Sequence, residues 1–130
     1  MGIKSSPLMD DLAGGRILVA EDEILIALDL SSMLTDAGAE VVGPATTLRA
    51  AKAIAQSDLL TAAILDVRLG RETTDSIAAI LSERQIPFVF YTGEELPADL
   101  QARWPNSTVI VKPARQTALI AAIARLFDPK

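Results

Sequence analysis

The sequence predicts a doubly wound α/β domain built on a five-stranded parallel sheet. The chain has 130 residues, which is the size of one domain. Half of its residues are hydrophobic and 22% are charged, as in soluble globular proteins. Five short apolar segments rich in β-branched residues alternate with Ala- and Leu-rich segments. This alternation is typical of parallel strands joined by right-handed helical crossovers.

The spacing of apolar residues, and the glycines, prolines and polar residues that interrupt it, predict the strands and helices in chain order. Residues 1–15 have no sustained period and are predicted to be a flexible lead-in, before a domain over 16–127 and a tail over 128–130. The apolar runs predict strands over 17–20, 40–42, 62–65, 87–91 and 108–111. The segments between them predict helices over 24–37, 48–56, 75–84, 98–103 and 116–127.

Helix boundaries carry their own signals. Gly38 is suited to end the first helix in a left-handed conformation, and Thr47 and Thr74 are suited to cap the second and third. Glu94, Glu95 and Pro97 make the segment before the fourth helix acidic and stiff, which predicts a short helix there. Together these elements predict a flavodoxin-like arrangement with helices on both faces of the sheet.

Composition excludes several classes of function. The net charge is −5, so attraction to nucleic acid or to an anionic membrane surface is not expected. Cysteine and histidine are both absent, which excludes disulfides, thiolate catalysis, zinc or haem ligation and Ser/His triads. No secretory signal or membrane-length apolar run is found, and we therefore expect a cytoplasmic protein.

The residues that carry chemistry lie at the ends of the predicted strands. In open α/β sheets, ligands bind outside the carboxyl ends of the strands. Glu21 and Asp22 follow the first strand, Asp66 the third, Thr92 the fourth and Lys112 the fifth. The turn after the first strand is acidic rather than glycine-rich, and no P-loop or GxSxG motif occurs, so nucleotide-binding and serine hydrolase classes lack their defining residues.

Three carboxylates brought to one sheet edge favour a bound cation. Two like charges about 4 Å apart repel by about 4 kcal/mol at an effective dielectric constant near 20. An all-oxygen site that leaves room for water and a phosphoryl group suits Mg²⁺. Asp66 is then placed to act as a nucleophile on phosphorus, while Thr92 and Lys112 stabilise the phosphoryl oxygens.

Four short segments resemble the receiver domain of bacterial two-component response regulators, the CheY-like class. They are ILVAEDE (17–23), ILDVRLG (64–70), FVFYTG (88–93) and VIVKP (109–113), and the resemblance extends over about 16–127. It implies that Asp66 accepts a phosphoryl group from a sensor histidine kinase or a phosphotransfer protein. It also implies that Asp22 and Asp66 ligate Mg²⁺, that Glu21 holds a water of the metal's shell, and that the Arg68 backbone carbonyl completes the protein's ligands. A cis peptide is implied between Lys112 and Pro113.

The sequence departs from the family at the position of its aromatic switch. That position, three residues before Lys112, holds Val109. Residues 90–93 partly resemble a Phe-Ala-Thr-Gly subclass of single-domain receivers that lack this switch, with Tyr91 in place of Ala. The family's usual interface is formed by the fourth helix, fifth strand and fifth helix. Trp104 is either an anchor for a partner at its edge or, on a simpler interpretation, a side chain packed over the sheet edge.

Three hypotheses follow. In the first, the chain is a stand-alone receiver, a monomer or a phosphorylation-dependent dimer, that signals through a downstream protein target or serves as a phosphate relay or sink. It would catalyse its own phosphoryl chemistry without being a metabolic enzyme. In the second, motivated by Val109, it is a phosphorylation-independent binding module. In the third, it is a flavodoxin-like or phosphatase-type enzyme of small substrates. Such an enzyme would need a substrate pocket or a general acid or base two residues after Asp66, and the arginine at that position, Arg68, cannot serve as one.

Overall fold

Residues 11–127 are described by a computed structural model, and the predicted tail over 128–130 lies outside them. Two of the predicted strands and two of the predicted helices have the predicted bounds, and the others differ by one to three residues at one or both ends. In chain order the elements are β1 (Arg16–Ala20), α1 (Ile24–Asp36), β2 (Glu40–Ala45), α2 (Leu48–Ser57), β3 (Ala62–Leu65), β4 (Arg68–Leu69), β5 (Glu72–Thr73), α3 (Asp75–Glu83), β6 (Phe88–Thr92), α4 (Ala98–Arg103), β7 (Thr108–Val111) and α5 (Gln116–Phe127).

The predicted fold is confirmed. Five parallel strands form a sheet in the order β2-β1-β3-β6-β7, with β2 and β7 at its edges. Helices α1 and α5 contribute to one hydrophobic cluster, and α2, α3 and α4 contribute to the other. Among residues 11–127, no helix combines the length and the apolar character needed to cross a membrane.

Alternation along the central strands builds the two clusters. In β1, Ile17 and Val19 belong to the cluster with α1 and α5, whereas Leu18 and Ala20 belong to the opposite one. Successive side chains of a strand point to opposite faces, so a strand covered on both sides is apolar throughout. The strand ends are therefore the first positions where polar groups are accommodated.

The structure corrects the sequence-based account at three places. Strand β2 continues past Val42 to Ala45 through a register shift at the cis Gly43–Pro44 peptide. Gly43 has φ +111°, and a Cβ there would lie 2.8 Å from the backbone nitrogen of Ala45, so the position requires glycine. A short antiparallel hairpin, β4–β5, which the sequence analysis missed, follows Asp66.

The third correction concerns the lead-in, of which residues 1–10 lie outside the described part. Leu12 is fully buried in the cluster with α1 and α5, and its N–H donates to the Ala37 carbonyl at 2.9 Å. The Gly15 carbonyl accepts from the Glu40 N–H at 2.8 Å. Leu12 and Gly15 are thus packed against the domain rather than loose, because an isolated leucine gains by burial even without a surrounding periodic pattern.

Two of the three predicted helix caps form. The Gly38 N–H donates to the Thr35 carbonyl and the Ala39 N–H to the Leu34 carbonyl, which ends α1 in a Schellman motif. Thr47 accepts a hydrogen bond from the Ala50 N–H at 3.1 Å and caps α2. Thr74 precedes α3 as predicted, but its hydroxyl makes no cap and is bonded elsewhere.

Candidate functional site

The three acidic residues meet because β1 and β3 are neighbours in the sheet. Ala20 is in register with Leu65, and the Asp66 N–H donates to the Ala20 carbonyl at 2.9 Å. The residues that follow the two strands are therefore side by side at one edge. One carboxylate oxygen from each of Glu21, Asp22 and Asp66 lies within 4.8 Å of the others.

Lys112 reaches the three carboxylates from the carboxyl end of the edge strand β7. Its Nζ donates to Glu21 Oε1 at 2.6 Å and to Asp66 Oδ2 at 3.0 Å. Its backbone N–H donates to the Thr92 carbonyl at 2.9 Å, which fixes the start of the side chain. The Lys112–Pro113 peptide is cis, as the resemblance implied.

Burial sets the protonation behaviour of the Glu21–Lys112 pair. Glu21 is 2% exposed, and this burial raises the pKa of its carboxyl, although hydrogen bonds from Lys112 and the Glu23 N–H act in the opposite direction. Burial by itself lowers the pKa of Lys112, but hydrogen bonds to Glu21 and Asp66, together with their charges, outweigh it and raise the pKa. Lys112 is therefore held as a cation.

Backbone groups orient the other two carboxylates. The Val67 N–H donates to Asp66 Oδ1 at 2.7 Å, and the Gly70 N–H donates to Asp22 Oδ2 at 2.8 Å. Gly70 lies in the turn of the β4–β5 hairpin with φ +65°. The hairpin thus folds back over the strand ends and ties the segment after β3 to the segment after β1.

Thr92 lies at the end of β6 and is buried. Its hydroxyl accepts from the Glu94 N–H at 3.2 Å, and the side chain of Glu94 in turn accepts from Arg68 Nε at 3.3 Å. Both members of this ion pair are largely exposed. The Arg68 side chain is therefore directed to the segment after β6, and the role of its carbonyl as a ligand stays a prediction.

The donor set fits a hard divalent cation. Glu21, Asp22 and Asp66 offer only oxygen, the ligand type that Mg²⁺ prefers. Both oxygens of Glu21 already accept hydrogen bonds, from Lys112 and from the Glu23 N–H. Both oxygens of Asp66 also accept hydrogen bonds, but Glu21 is buried, whereas Asp22 is exposed and Asp66 is half-buried. The two aspartates are therefore better placed than Glu21 to contact a hydrated metal ion directly.

Sequence reasoning missed Thr74, which supports the segment carrying Asp66. Its buried hydroxyl donates to the Asp66 carbonyl at 2.6 Å, and its N–H donates to the Val67 carbonyl at 2.9 Å. As a helix cap, the Thr74 hydroxyl was expected to accept from a backbone N–H of α3, whereas in the structure it donates to a carbonyl. Gly70 ends the segment 64–70 that resembles receiver domains. Its contact with Asp22 was not predictable, because it forms only when the β4–β5 hairpin folds back over the strand ends.

Trp104 packs over the edge of the sheet, as its simpler interpretation predicted. Its ring meets that of Phe88 edge to face with centroids 5.6 Å apart, and its indole N–H donates to Asp75 at 2.9 Å. Trp104 also lines a groove of about 690 Å³ between α4 and β7, together with Val109 and Val111.

The chain is similar in sequence to two known regulatory proteins. The chain is 36% identical over 112 residues to the transcriptional regulatory protein PdtaR of Mycobacterium tuberculosis, covering 83% of this chain and 54% of the relative. It is 30% identical over 113 residues to the phyllosphere-induced regulator PhyR of Methylorubrum extorquens, covering 85% and 42%. The chain thus spans about half the length of the curated relatives it matches. No protein-family model matches it.

A solved structure agrees with these relatives. A response regulator receiver protein from Sinorhizobium medicae superimposes with a TM-score of 0.76 at 28% identity, covering 88% of this chain and 94% of that one. Taken with the sheet order and the acidic edge, these similarities identify the chain as a CheY-like receiver domain of the response regulator class.

Proposed function

We propose that the chain accepts a phosphoryl group on Asp66 and signals through protein contacts that depend on it. The observation that carries this proposal is the convergence of Lys112 on Asp66 and the buried Glu21, with Asp22 beside them. A buried cation next to one reactive carboxylate neutralises the charge that develops on transferring phosphoryl oxygens.

Phosphoryl transfer to Asp66 exchanges a P–N bond for a P–O bond. A carboxylate oxygen of Asp66 attacks phosphorus, and the P–N bond of a phosphohistidine on the donor protein breaks. The departing imidazole nitrogen keeps the electron pair, and the product is an aspartyl phosphate. Attack of water on phosphorus later restores the carboxylate and releases inorganic phosphate. No metabolite is turned over in this cycle.

Asp22 and Asp66 would hold Mg²⁺, with Glu21 and the Arg68 carbonyl completing its surroundings. Bound there, the ion would supply positive charge to the phosphoryl oxygens. Lys112 and the Thr92 hydroxyl are the protein's own groups for the same oxygens. The Val67 N–H holds Asp66 Oδ1 and thereby orients the carboxylate.

The donor is proposed to be a histidine kinase or a phosphotransfer protein. Helix α1 begins two residues after Asp22 and exposes Leu25 by 78%, with Ile24 and Leu28 each about half exposed. An apolar helix surface directly beside the acidic edge suits a donor protein that must seat its histidine against Asp66. The chain's lack of histidine means that this residue comes from the donor.

A second candidate is a phosphorylation-independent binding module. It is favoured by Val109, which stands in the place of the family's aromatic switch and is 38% exposed on edge strand β7. This hypothesis keeps the groove between α4 and β7 as a protein-binding surface. It differs from the first in predicting that partner binding is indifferent to Asp66.

Intact-protein mass spectrometry after incubation with a small phosphodonor tests the proposal. We expect one phosphoryl adduct on the wild-type protein with Mg²⁺, and none without Mg²⁺ or in Asp66→Asn. Asp22→Asn should lower the adduct yield at limiting Mg²⁺, whereas Asp29→Asn on α1 is the matched control and should not. An adduct that persists in Asp66→Asn would overturn the assignment.

A further inference from the structure

Tyr91 is the chain's single tyrosine, and it lies against the side chain that completes the proposed site. It is 6% exposed in β6, within the hydrophobic cluster that includes α1 and α5. Lys112 Nζ lies 5.5 Å from the centroid of the Tyr91 ring. A cation within about 6 Å of an aromatic centroid is attracted by the ring's quadrupole, more strongly when both are withdrawn from water.

Sheet register explains why the two side chains meet. Tyr91 pairs with Ile110 across β6 and β7, and Lys112 follows Ile110 by two residues. Residues two apart in a strand point to the same face, so Lys112 emerges on the face of the sheet that Tyr91 occupies. The Thr92 carbonyl, which accepts the Lys112 N–H, fixes the backbone at this point.

The Tyr91 hydroxyl makes a second contact beyond the lysine. It accepts a long hydrogen bond, 3.4 Å, from the Ala114 N–H. Ala114 follows Pro113, so the tyrosine contacts the segment that carries Lys112 at the ammonium group and again after the cis peptide. The ring contacts the ammonium and the hydroxyl contacts the Ala114 N–H, so substitutions can remove one contact without the other.

We propose that Tyr91 is a positioning residue that keeps the Lys112 ammonium over Asp66 during phosphoryl transfer. This inference rests on the proposed function. The other two contacts of the ammonium are to carboxylate oxygens of Glu21 and Asp66. One carboxylate oxygen of Asp66 becomes bonded to phosphorus when it takes the phosphoryl group, and the carboxylate charge is lost, so that contact is altered by the reaction. The ring face takes no part in the chemistry and holds the ammonium before and after transfer.

The test compares Tyr91→Phe, Tyr91→Leu and Phe90→Leu. Phe90 is the matched control, because it is a fully buried aromatic residue of the same strand that belongs to the opposite hydrophobic cluster. Each variant is characterised by its rate of Mg²⁺-dependent adduct formation with a small phosphodonor and by its unfolding midpoint in urea. The NMR shift of the Lys112 ε-methylene protons reports whether an aromatic ring lies beside them.

We expect Tyr91→Phe to keep the ring-current shift of Lys112 and an adduct rate close to that of the wild type. Tyr91→Leu should lose the shift and form the adduct about three- to tenfold more slowly, the range that corresponds to a partly desolvated cation–π contact. Phe90→Leu should be destabilised by loss of core packing but keep both the shift and the rate.

Equal adduct rates in Tyr91→Leu and Phe90→Leu would overturn the inference. A rate in Tyr91→Phe as low as that in Tyr91→Leu would also overturn it, since the hydroxyl rather than the ring would then be responsible. If Tyr91→Leu does not fold, Tyr91→Ile, which lacks the ring but suits a strand, takes its place with the same expected loss of shift and rate. Failure of the wild type to form any adduct would instead contradict the proposed function itself.

Discussion

The contact between Lys112 and Glu21 balances a carboxylate that is almost completely withdrawn from water. Removing one partner of a buried pair leaves the other charge without compensation, and such losses cost about 3 kcal/mol or more. Lys112→Met keeps the length of the side chain but removes its charge. The metal-free variant should therefore lose about 3 kcal/mol of unfolding free energy near pH 8.

The pH dependence of that loss follows from Glu21. Its pKa is already raised by burial, and loss of the Lys112 hydrogen bond removes one of the causes that lower it. A carboxyl whose pKa is raised in the folded state favours folding below its unfolded pKa and loses that contribution as pH rises through the folded value. The deficit of Lys112→Met should thus be small near the ordinary Glu pKa of 4.5 and grow toward neutral pH.

Urea unfolding of the metal-free proteins at pH 5 and pH 8 measures this deficit. Lys52→Met, which changes a lysine of α2 outside the site, is the matched control and should change stability little at either pH. A deficit in Lys112→Met that is the same at both pH values would contradict the account of Glu21.

The sequence was sufficient to predict which side chains meet at the sheet edge. Glu21, Asp66 and Lys112 each follow a strand, and the carboxyl ends of parallel strands share one edge. Thr92 is the last residue of its strand, and its hydroxyl contacts the Glu94 N–H rather than these three side chains. The direction of the Arg68 side chain toward Glu94 was not predictable in this way. It depends on the distance between the β4–β5 hairpin and the segment after β6, which no pattern in the local sequence predicts.

The β4–β5 hairpin and the start of α3 form the support of the segment that carries Asp66. Thr74 connects them, since its buried hydroxyl donates to the Asp66 carbonyl. Thr74→Val keeps the shape of the side chain but leaves this acceptor without its partner, at a cost of about 1–3 kcal/mol. We expect the variant to be less stable by that amount and to form the adduct more slowly.

Thr74→Ser retains the hydroxyl and is the conservative control. Chemical denaturation and the rate of adduct formation should both place Thr74→Ser close to the wild type and apart from Thr74→Val. Equal behaviour of the two variants would show that the hydroxyl does not support Asp66.

Elements with a strong periodic pattern were predicted well, and short or irregular ones were not. Helix α5 and strand β3 have the predicted bounds because their apolar pattern and flanking signals agree. The β4–β5 hairpin has two residues in each strand, too few to show any alternation. The extension of β2 passes through Gly43–Pro44, a pair that usually marks a turn.

Hydrogen bonds link the sheet edge that carries Asp66 to the groove between α4 and β7. Thr74 joins the Asp66 carbonyl to the start of α3, and the next residue, Asp75, accepts hydrogen bonds from Trp104 and Arg103 at the end of α4. This link does not involve Val109. We predict that this link carries movement at Asp66 to the groove, in place of an aromatic switch at Val109.

Trp104 is the chain's single tryptophan and reports on this route. Phosphorylation of Asp66 should change its fluorescence, because movement at Thr74 is passed to Asp75 and the indole. The measurement compares emission before and after addition of a small phosphodonor with Mg²⁺. Asp66→Asn should show no change. An unchanged emission in a wild-type protein whose phosphorylation is verified by mass would favour the phosphorylation-independent module.

The chemical identity of the modified residue tests the central proposal most directly. Borohydride reduces an aspartyl phosphate to homoserine, so treatment of the phosphorylated protein followed by peptide sequencing locates the acceptor. The account predicts homoserine at position 66 and at no other acidic position. Homoserine at Asp22 or another aspartate, hydroxynorvaline at a glutamate such as Glu21, or no reduced residue in a protein that carries the phosphoryl adduct, would contradict it.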